Sequence, residues 1–312
     1  MARPRQTGQL FRLGVMTRAR RDEPGTAAAI LMQELARRGY IDGQNILVEH
    51  RAAEGYPERY TQFAAEFVRL GVDAIFAGGG EASARAVQLA TRSIPTVVFV
   101  EDAVGQGFVT SLARPGGNIT GISLLAAELD GKRQALLGEL LPEGALMAAL
   151  ADSRRTQAQL IALEQAAAGR KQRVAVLLGN SPQSVATAIA EAHKLGAQGI
   201  NVLASSILFG LSKSIASQVG QLRLPAVFQW PDLSEPGGSI GAEALVGYGP
   251  RFHNVAVQLA AMMAKIIGGT PPSDIPVEQP TKFELAINLK TAKALGLTIS
   301  PLVLARADEV IE

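Results

Sequence analysis

Chemistry at a protein site needs nucleophiles, acid–base groups or metal ligands held at set spacings, and this sequence is sparing with all three. Cysteine is absent from the 312 residues, which excludes thiol nucleophiles, disulfides and thiolate zinc sites. The histidines are His50, His193 and His253. No two of them have metal-ligand spacing, and no H-E-x-x-H is present, so surface or hydrogen-bonded structural roles are expected of them. Nothing in the sequence forms a catalytic constellation, and neither a cofactor nor a metal is expected.

What remains are residues suited to binding. The run Gly78-Gly79-Gly80 lies between a short apolar stretch and a helical pattern. Backbone without Cβ atoms admits a close ligand, and the helix that follows offers N–H groups and partial positive charge to a carboxylate. The alternative is a tight strand-to-helix turn with no ligand. It is neither a dinucleotide fingerprint nor a P-loop, because G-x-G-x-x-G does not follow the first strand and no GK[ST] occurs. Asp102 can hold an ammonium group or cap the next turn. Arg18, in the basic run Arg18-Ala19-Arg20-Arg21, can meet an anion or belong to a solvated loop. Trp230, the sole tryptophan, and Tyr248 can wall an apolar pocket, with Phe209 a lesser candidate; ordinary core packing is the competing role.

The elements that position these residues follow a regular rhythm. Strands are expected at 11–17, 45–51, 74–77 and 96–100, with helices at 24–38, 57–70 and 81–91 between them. This series requires a parallel sheet with helices on both faces. The rhythm stalls at Leu112–Gly121, where Pro115, Gly116, Gly117 and Asn118 cluster. A second series then follows: strands at 146–151, 173–178, 200–204 and 226–230, with helices at 125–141, up to Gly169, at 183–195 and at 211–222. A helix at 252–267, a Pro-rich link, a strand at 283–288 and a helix at 289–295 stopped by Gly296 come last. The fold class expected is therefore α/β, with two doubly wound lobes and a hinge of several strands. The first lobe takes 1–121 plus about 247–282, and the second takes 122–246 plus about 283–312. Ligands of such sheets bind outside the carboxyl ends of the strands, so a cleft between the lobes is expected.

Composition narrows the function classes further. With 30 basic and 28 acidic side chains the net charge is +2, too small for a phosphate-neutralising surface, so no nucleic-acid partner is expected. Apolar residues at 47% exclude a disordered chain. The most apolar helix pattern, Val255–Ile267, is shorter than the roughly 20 residues a membrane span needs and carries Lys265. Met1–Leu10 has no apolar signal-peptide core, and a removed leader is the expected reason.

Long segments resemble the ABC-transporter substrate-binding protein family of the tryptophan/tyrosine type, whose members have a type I periplasmic-binding-protein fold. The matching stretches include Glu34–Gly55, Arg59–Gly80, Asp102–Ser123, Gly131–Pro142, Tyr248–Pro250 and Pro276–Glu312. RPGGNITG and EQPTKFELAINLKTAKALGL are the most specific of them. The resemblance implies a non-catalytic, monomeric receptor, periplasmic or on the outer face of the cytoplasmic membrane, that closes over a small solute and delivers it to an ABC permease. An aromatic or branched amino acid, or a related carboxylate, is the solute implied. It carries ligand contacts onto Thr17, the turn of Gly79, Gly80, Glu81, Ala82 and Ser83, Asp102, and the loops at Asp152 and Ser206. The alternatives are a Rossmann-like enzyme acting on a small carboxylate and a ligand-sensing domain.

Overall fold

In the computed structural model, which describes residues 10–232 and 244–312, the chain divides into two compact units. Unit one comprises 1–124 and 253–279; unit two comprises 125–252 and 280–312.

Unit one contains β1 (Phe11–Thr17), α1 (Ala27–Arg37), β2 (Ile46–Ala52), α2 (Arg59–Leu70), β3 (Ala74–Ala77), α3 (Glu81–Ala90), β4 (Thr96–Val100) and β5 (Ile119–Ser123). Its sheet order is β2-β1-β3-β4-β5, parallel throughout. The central strands are apolar on both faces because helices cover both: Leu13, Val15, Ile75, Val97 and Val98 are fully buried. Thr26 caps α1 by accepting from the Ala29 N–H, and α2 stops where Gly71 turns left-handed at φ 63°. Beyond β5 the returning segment runs along the sheet edge. The Thr120 hydroxyl donates to Ile275 O at 2.7 Å, and the Ser123 N–H donates to Glu278 O at 3.0 Å. The long helix α9 (Phe252–Ile267) belongs to this unit from His253 onward.

Unit two contains α4 (Ala126–Glu139), β6 (Leu146–Ala151), α5 (Gln157–Ala168), β7 (Arg173–Leu178), α6 (Pro182–Lys194), β8 (Ile200–Val202), α7 (Ser206–Gly210), α8 (Ser212–Gln221), β9 (Ala226–Phe228), β10 (Val246–Gly249), β11 (Glu284–Asn288), α10 (Leu289–Leu295), α11 (Pro301–Leu304) and β12 (Glu309–Ile311). The sheet order is β12-β11-β10-β9-β8-β6-β7, with only the β10–β11 pair antiparallel.

Three features differ from the sequence expectation. Residues 247–252, expected with the first lobe, lie in unit two, because β10 pairs with β9 on one side and β11 on the other. Residues 122–124 lie in unit one, where Ile122 and Ser123 complete the pairing of β5 with β4. The helix expected at 211–222 is preceded by a separate turn, α7, which Ser205 caps; five residues are too few to show a helical period.

Candidate functional site

Parallel pairing places the carboxyl ends of all five strands of unit one along a single sheet edge, and eight of the sequence candidates lie at those ends or in the segments that follow them. Thr17 ends β1 and is 2% exposed. Its hydroxyl donates to Ala19 O at 2.8 Å and lies 2.8 Å from His50 Nε2 on β2. One hydroxyl carries one proton, so the proton in the second contact belongs to Nε2, and His50 is the donor. Burial, and then the nearby guanidiniums of Arg21 and Arg51, push the His50 pKa down to about 4 against the opposing pull of Asp22. The imidazole is neutral at pH 7, which fits a ring with one N–H donated to Thr17. Beside it opens a concavity of about 670 Å³ bordered by Arg20, Arg21, Asp22, Glu49, Arg51 and Glu54. Its cations are matched by carboxylates: Arg21 to Asp42 at 2.8 Å, Arg20 to Asp22 at 3.4 Å and Arg51 to Glu66 at 2.5 Å. Such a surface has little net field for an anion. Arg18 itself is half-buried, and desolvation lowers its pKa against the influence of Tyr60 and Glu23.

The glycine turn after β3 has two separate causes. A Cβ on Gly78 would overlap the Phe76 ring and crowd Thr17, and a Cβ on Gly79 would overlap the Tyr60 hydroxyl. Those two positions are glycine because the unit's own side chains fill the space. Gly80 is glycine for its backbone, which sits at φ 73°. The Ser83 hydroxyl accepts from the Gly79 N–H at 2.9 Å and donates to Gly80 O at 2.8 Å, which locks the turn onto α3. Glu81 is buried, and its carboxylate accepts from the Glu101 N–H at 2.8 Å. Ala82 packs at the margin of the unit's apolar core. Arg85 donates to Gln106 O at 2.7 Å and stacks its guanidinium 4.4 Å from the Phe108 ring centroid. Gln88 donates to Gly107 O at 2.7 Å. Glu81, Arg85 and Gln88 recur at helical spacing, so one face of α3 holds the whole loop that follows β4. In that loop the Asp102 carboxylate accepts from the Gly105 N–H at 2.8 Å, which is a turn-capping contact.

In unit two Asp152 follows β6 and is 7% exposed. It accepts from the Ser205 hydroxyl at 2.7 Å and from the Arg154 N–H at 2.7 Å. Ser206 is half-buried as the first residue of α7, but Ser205 makes the contacts: its oxygen accepts from the Ile207 and Leu208 N–H groups, and its own N–H donates to Gln229 at 3.2 Å. Trp230 is 2% exposed and packs on Phe209 and Phe252. Tyr248 is half-buried against a different apolar cluster, the one containing Leu136, Leu285 and Ile287, so the two aromatic candidates have separate surroundings.

Sequence reasoning missed the polar network beneath this edge. Asp130 on α4 is fully buried and accepts from Arg133 at 2.6 Å, Gln159 at 2.7 Å and the Ala204 N–H at 3.0 Å. Arg133, 1% exposed, also donates to Tyr248 O at 2.8 Å. Asn201 on β8 donates to Gln134 at 3.0 Å. No sequence signal marked this network, because Glu128, Lys132 and Glu139 make α4 polar along much of its length and Asp130, Arg133 and Gln134 do not stand out among them. Among the described residues, no group of three His, Asp or Glu is placed to hold a metal ion.

Several known proteins resemble this chain. Tyrosine-binding protein of Clostridioides difficile (strain R20291) is 25% identical over 267 residues, covering 85% of this chain and 75% of that protein. Among solved structures, an ABC domain in complex with L-Trp from Streptococcus pneumonia has a TM-score of 0.83 at 22% identity, over 97% of this chain and 100% of that one. A conserved domain protein from Vibrio cholerae has a TM-score of 0.81 at 24% identity over the same shares. These structural likenesses establish the fold: two α/β lobes of the periplasmic-binding-protein kind. The family model described as ABC transporter substrate binding protein matches residues 26–311, and this chain belongs to that family, which is one of solute carriers for transport and not of enzymes.

Proposed function

We propose that this protein is the solute receptor of an ABC importer, that it takes an amino acid with an aromatic or branched side chain or a related carboxylate, and that it delivers this solute to a membrane permease. Proteins of this family work outside the cytoplasmic membrane, and a periplasmic location as a monomer is the finer reading offered here. The observation that carries the solute class is the relative named for tyrosine, which aligns with most of this chain. The solved domain of the same fold that holds L-Trp agrees with it.

The polar end of the solute is assigned to the strand-end loops. The first turn of α3, at Gly79, Gly80, Glu81, Ala82 and Ser83, offers backbone N–H groups and the positive end of the helix to a carboxylate. Thr17 and Arg18 stand at the neighbouring strand end. Asp102 and Asp152 are the carboxylates offered to an ammonium group, with Ser206, Trp230 and Tyr248 completing the assignment.

A thermal-shift screen of amino acids, their deaminated analogues and nucleotides tests the reading. A ligand that binds only the native state stabilises it by about 2.7 kcal/mol at a hundredfold excess over Kd. Tyrosine, tryptophan, phenylalanine or a branched amino acid should raise the midpoint, and the solute should be recovered unchanged. Stabilisation by NAD(P) alone, or turnover of the solute, would reject the reading.

A further inference from the structure

Two of the loops that carry candidate site residues in unit two share one buried support. Asp152 lies in the loop after β6, and Ser206 opens α7 at the end of the loop after β8. The loops touch directly where the Ser205 hydroxyl donates to Asp152 at 2.7 Å. They are joined a second time from below. The Ala204 N–H donates to one oxygen of Asp130 at 3.0 Å, and the Gln159 amide donates to the other at 2.7 Å. The Gln159 carbonyl accepts from the Thr156 N–H at 2.8 Å, at the far end of the loop that begins with Asp152. Asp152, Ser205, Ala204, Asp130, Gln159 and Thr156 thus close a ring.

Local sequence accounts for one half of what Gln159 does. Thr156 caps α5, Gln159 is the third residue of that helix, and the two form a capping box. A capping box is satisfied within its own turn and requires nothing from a residue 29 positions away. Gln159 nevertheless carries its NH2 group to Asp130 on α4. Gly131 permits the approach, since a Cβ there would lie 3.2 Å from the Ala162 Cβ of α5. Both Asp130 and Gln159 are buried, so neither is offered to a solute.

We propose that Asp130 and Gln159 are positioning residues, which fix the loop after β6 against the loop after β8 and through that placement set the affinity for the solute. The inference rests on the receptor reading above and adds to it two residues that touch no solute. A site built on loops holds its geometry only as well as the residues beneath lock it. Buried hydrogen bonds lock well, because the broken state leaves polar groups without water. Without Gln159, the Asp152–Ser205 bond is what still joins the two loops, and one bond allows a pivot that two do not.

Calorimetric titration of the full chain with L-tyrosine, L-tryptophan and L-leucine, alongside urea unfolding, tests the role. Gln159→Met keeps the bulk of the side chain and loses both of its bonds. Ile189→Ala, a cavity in the core beneath α6, serves as a control that loses stability without touching the ring. Gln159→Met should bind the preferred amino acid about tenfold more weakly than the native protein, under conditions where both are folded. Amide exchange at Thr156 and Ala204 should quicken in the same variant. Ile189→Ala should stay within about twofold of native affinity. The double variant Asp130→Asn with Gln159→Glu exchanges donor for acceptor and conserves charge, so it should regain affinity that Gln159→Glu alone loses. Native affinity in Gln159→Met, or an equal loss in Ile189→Ala, would overturn the positioning role while the receptor reading stood. If Gln159→Met does not fold, the exchanged pair decides, and a double variant no tighter than Gln159→Glu overturns the role. A native protein that binds none of the three amino acids removes the receptor reading itself, and this inference with it.

Discussion

His50 shows how one side chain can place another and carry a pH signature. Its Nε2–H holds the Thr17 hydroxyl, and its pKa of about 4 lies well below the ordinary histidine value near 6.5. The unfolded chain therefore binds more protons than the native one between those two values. Stability should fall as pH drops from about 7 toward 4. His50→Gln keeps a donor without the titration, so its urea midpoint should change less over that pH range than the native protein's. An equal change in both would place the titrating group elsewhere. Gly79 makes a second residue-scale case. Gly79→Ala places a Cβ on the Tyr60 hydroxyl, an overpacking defect of about 1–3 kcal/mol. The overlap reaches the Tyr60 ring as well as its hydroxyl, so Tyr60→Leu should cost less in the Gly79→Ala background than in the native chain, as read by chemical unfolding. Equal costs in the two backgrounds would mean that the Tyr60 side chain is not the obstacle.

At the scale of elements, the carboxyl edge of unit two stands on polar side chains buried beneath it. Arg133 reaches from α4 to the Tyr248 carbonyl of β10, and Asp130 reaches the Ala204 N–H at the head of the loop before α7. Removing one partner of such a pair leaves an uncompensated buried charge. Asp130→Ala should cost about 3–5 kcal/mol, and Arg133→Met about the same, whereas the double variant should cost much less than their sum. Additive losses in denaturant titrations would show that the two charges are satisfied independently. A second ionic cluster ties neighbouring strands: Arg251 pairs with Glu284 at the start of β11 and with Glu309 at the start of β12, both at 2.6 Å. The hydrogen bond from Lys282, and then that from Arg251, hold the Glu284 carboxyl below the usual carboxylate range.

For the whole molecule, the consequential feature is that neither unit is one continuous stretch of chain. Unit one depends on 253–279, which supplies α9 and the segment bonded along β5. On α9, Val255, Leu259, Met262, Met263, Ile266 and Ile267 are buried. At roughly 1.5–3 kcal/mol for each buried side chain, this helix contributes as much as the 5–15 kcal/mol total stability of an ordinary domain. A chain ending after Phe252 should therefore leave unit one unfolded or molten, with strong binding of a hydrophobic dye and no cooperative transition for that unit. A sharp, native-like transition in that fragment would contradict the account.

The local βαβ rhythm was written in the residues, because period, glycine stops and helix caps act over a few positions. The strands at 74–77, 96–100, 146–151 and 173–178 fall where the apolar runs place them. The terminal pieces α11 and β12 did not announce themselves, since four and three residues carry no readable period. The glycine run was legible as a turn, but its cause was only partly so: the Phe76 ring at Gly78 is a neighbour two residues away, whereas Tyr60 reaches Gly79 only once α2 packs beside β3. In the same way, Ser205 lies next to the expected Ser206, and only the packing of α7 beside β6 shows which of the two meets Asp152. Trp230 was visible as a lone aromatic, whereas its packing on Phe209 of α7 and Phe252 of α9 joins residues more than a helix length apart in the chain. Local sequence determined the elements and their order. Tertiary structure decided which side chains meet, because those contacts join residues whose separation along the chain leaves no short-range pattern.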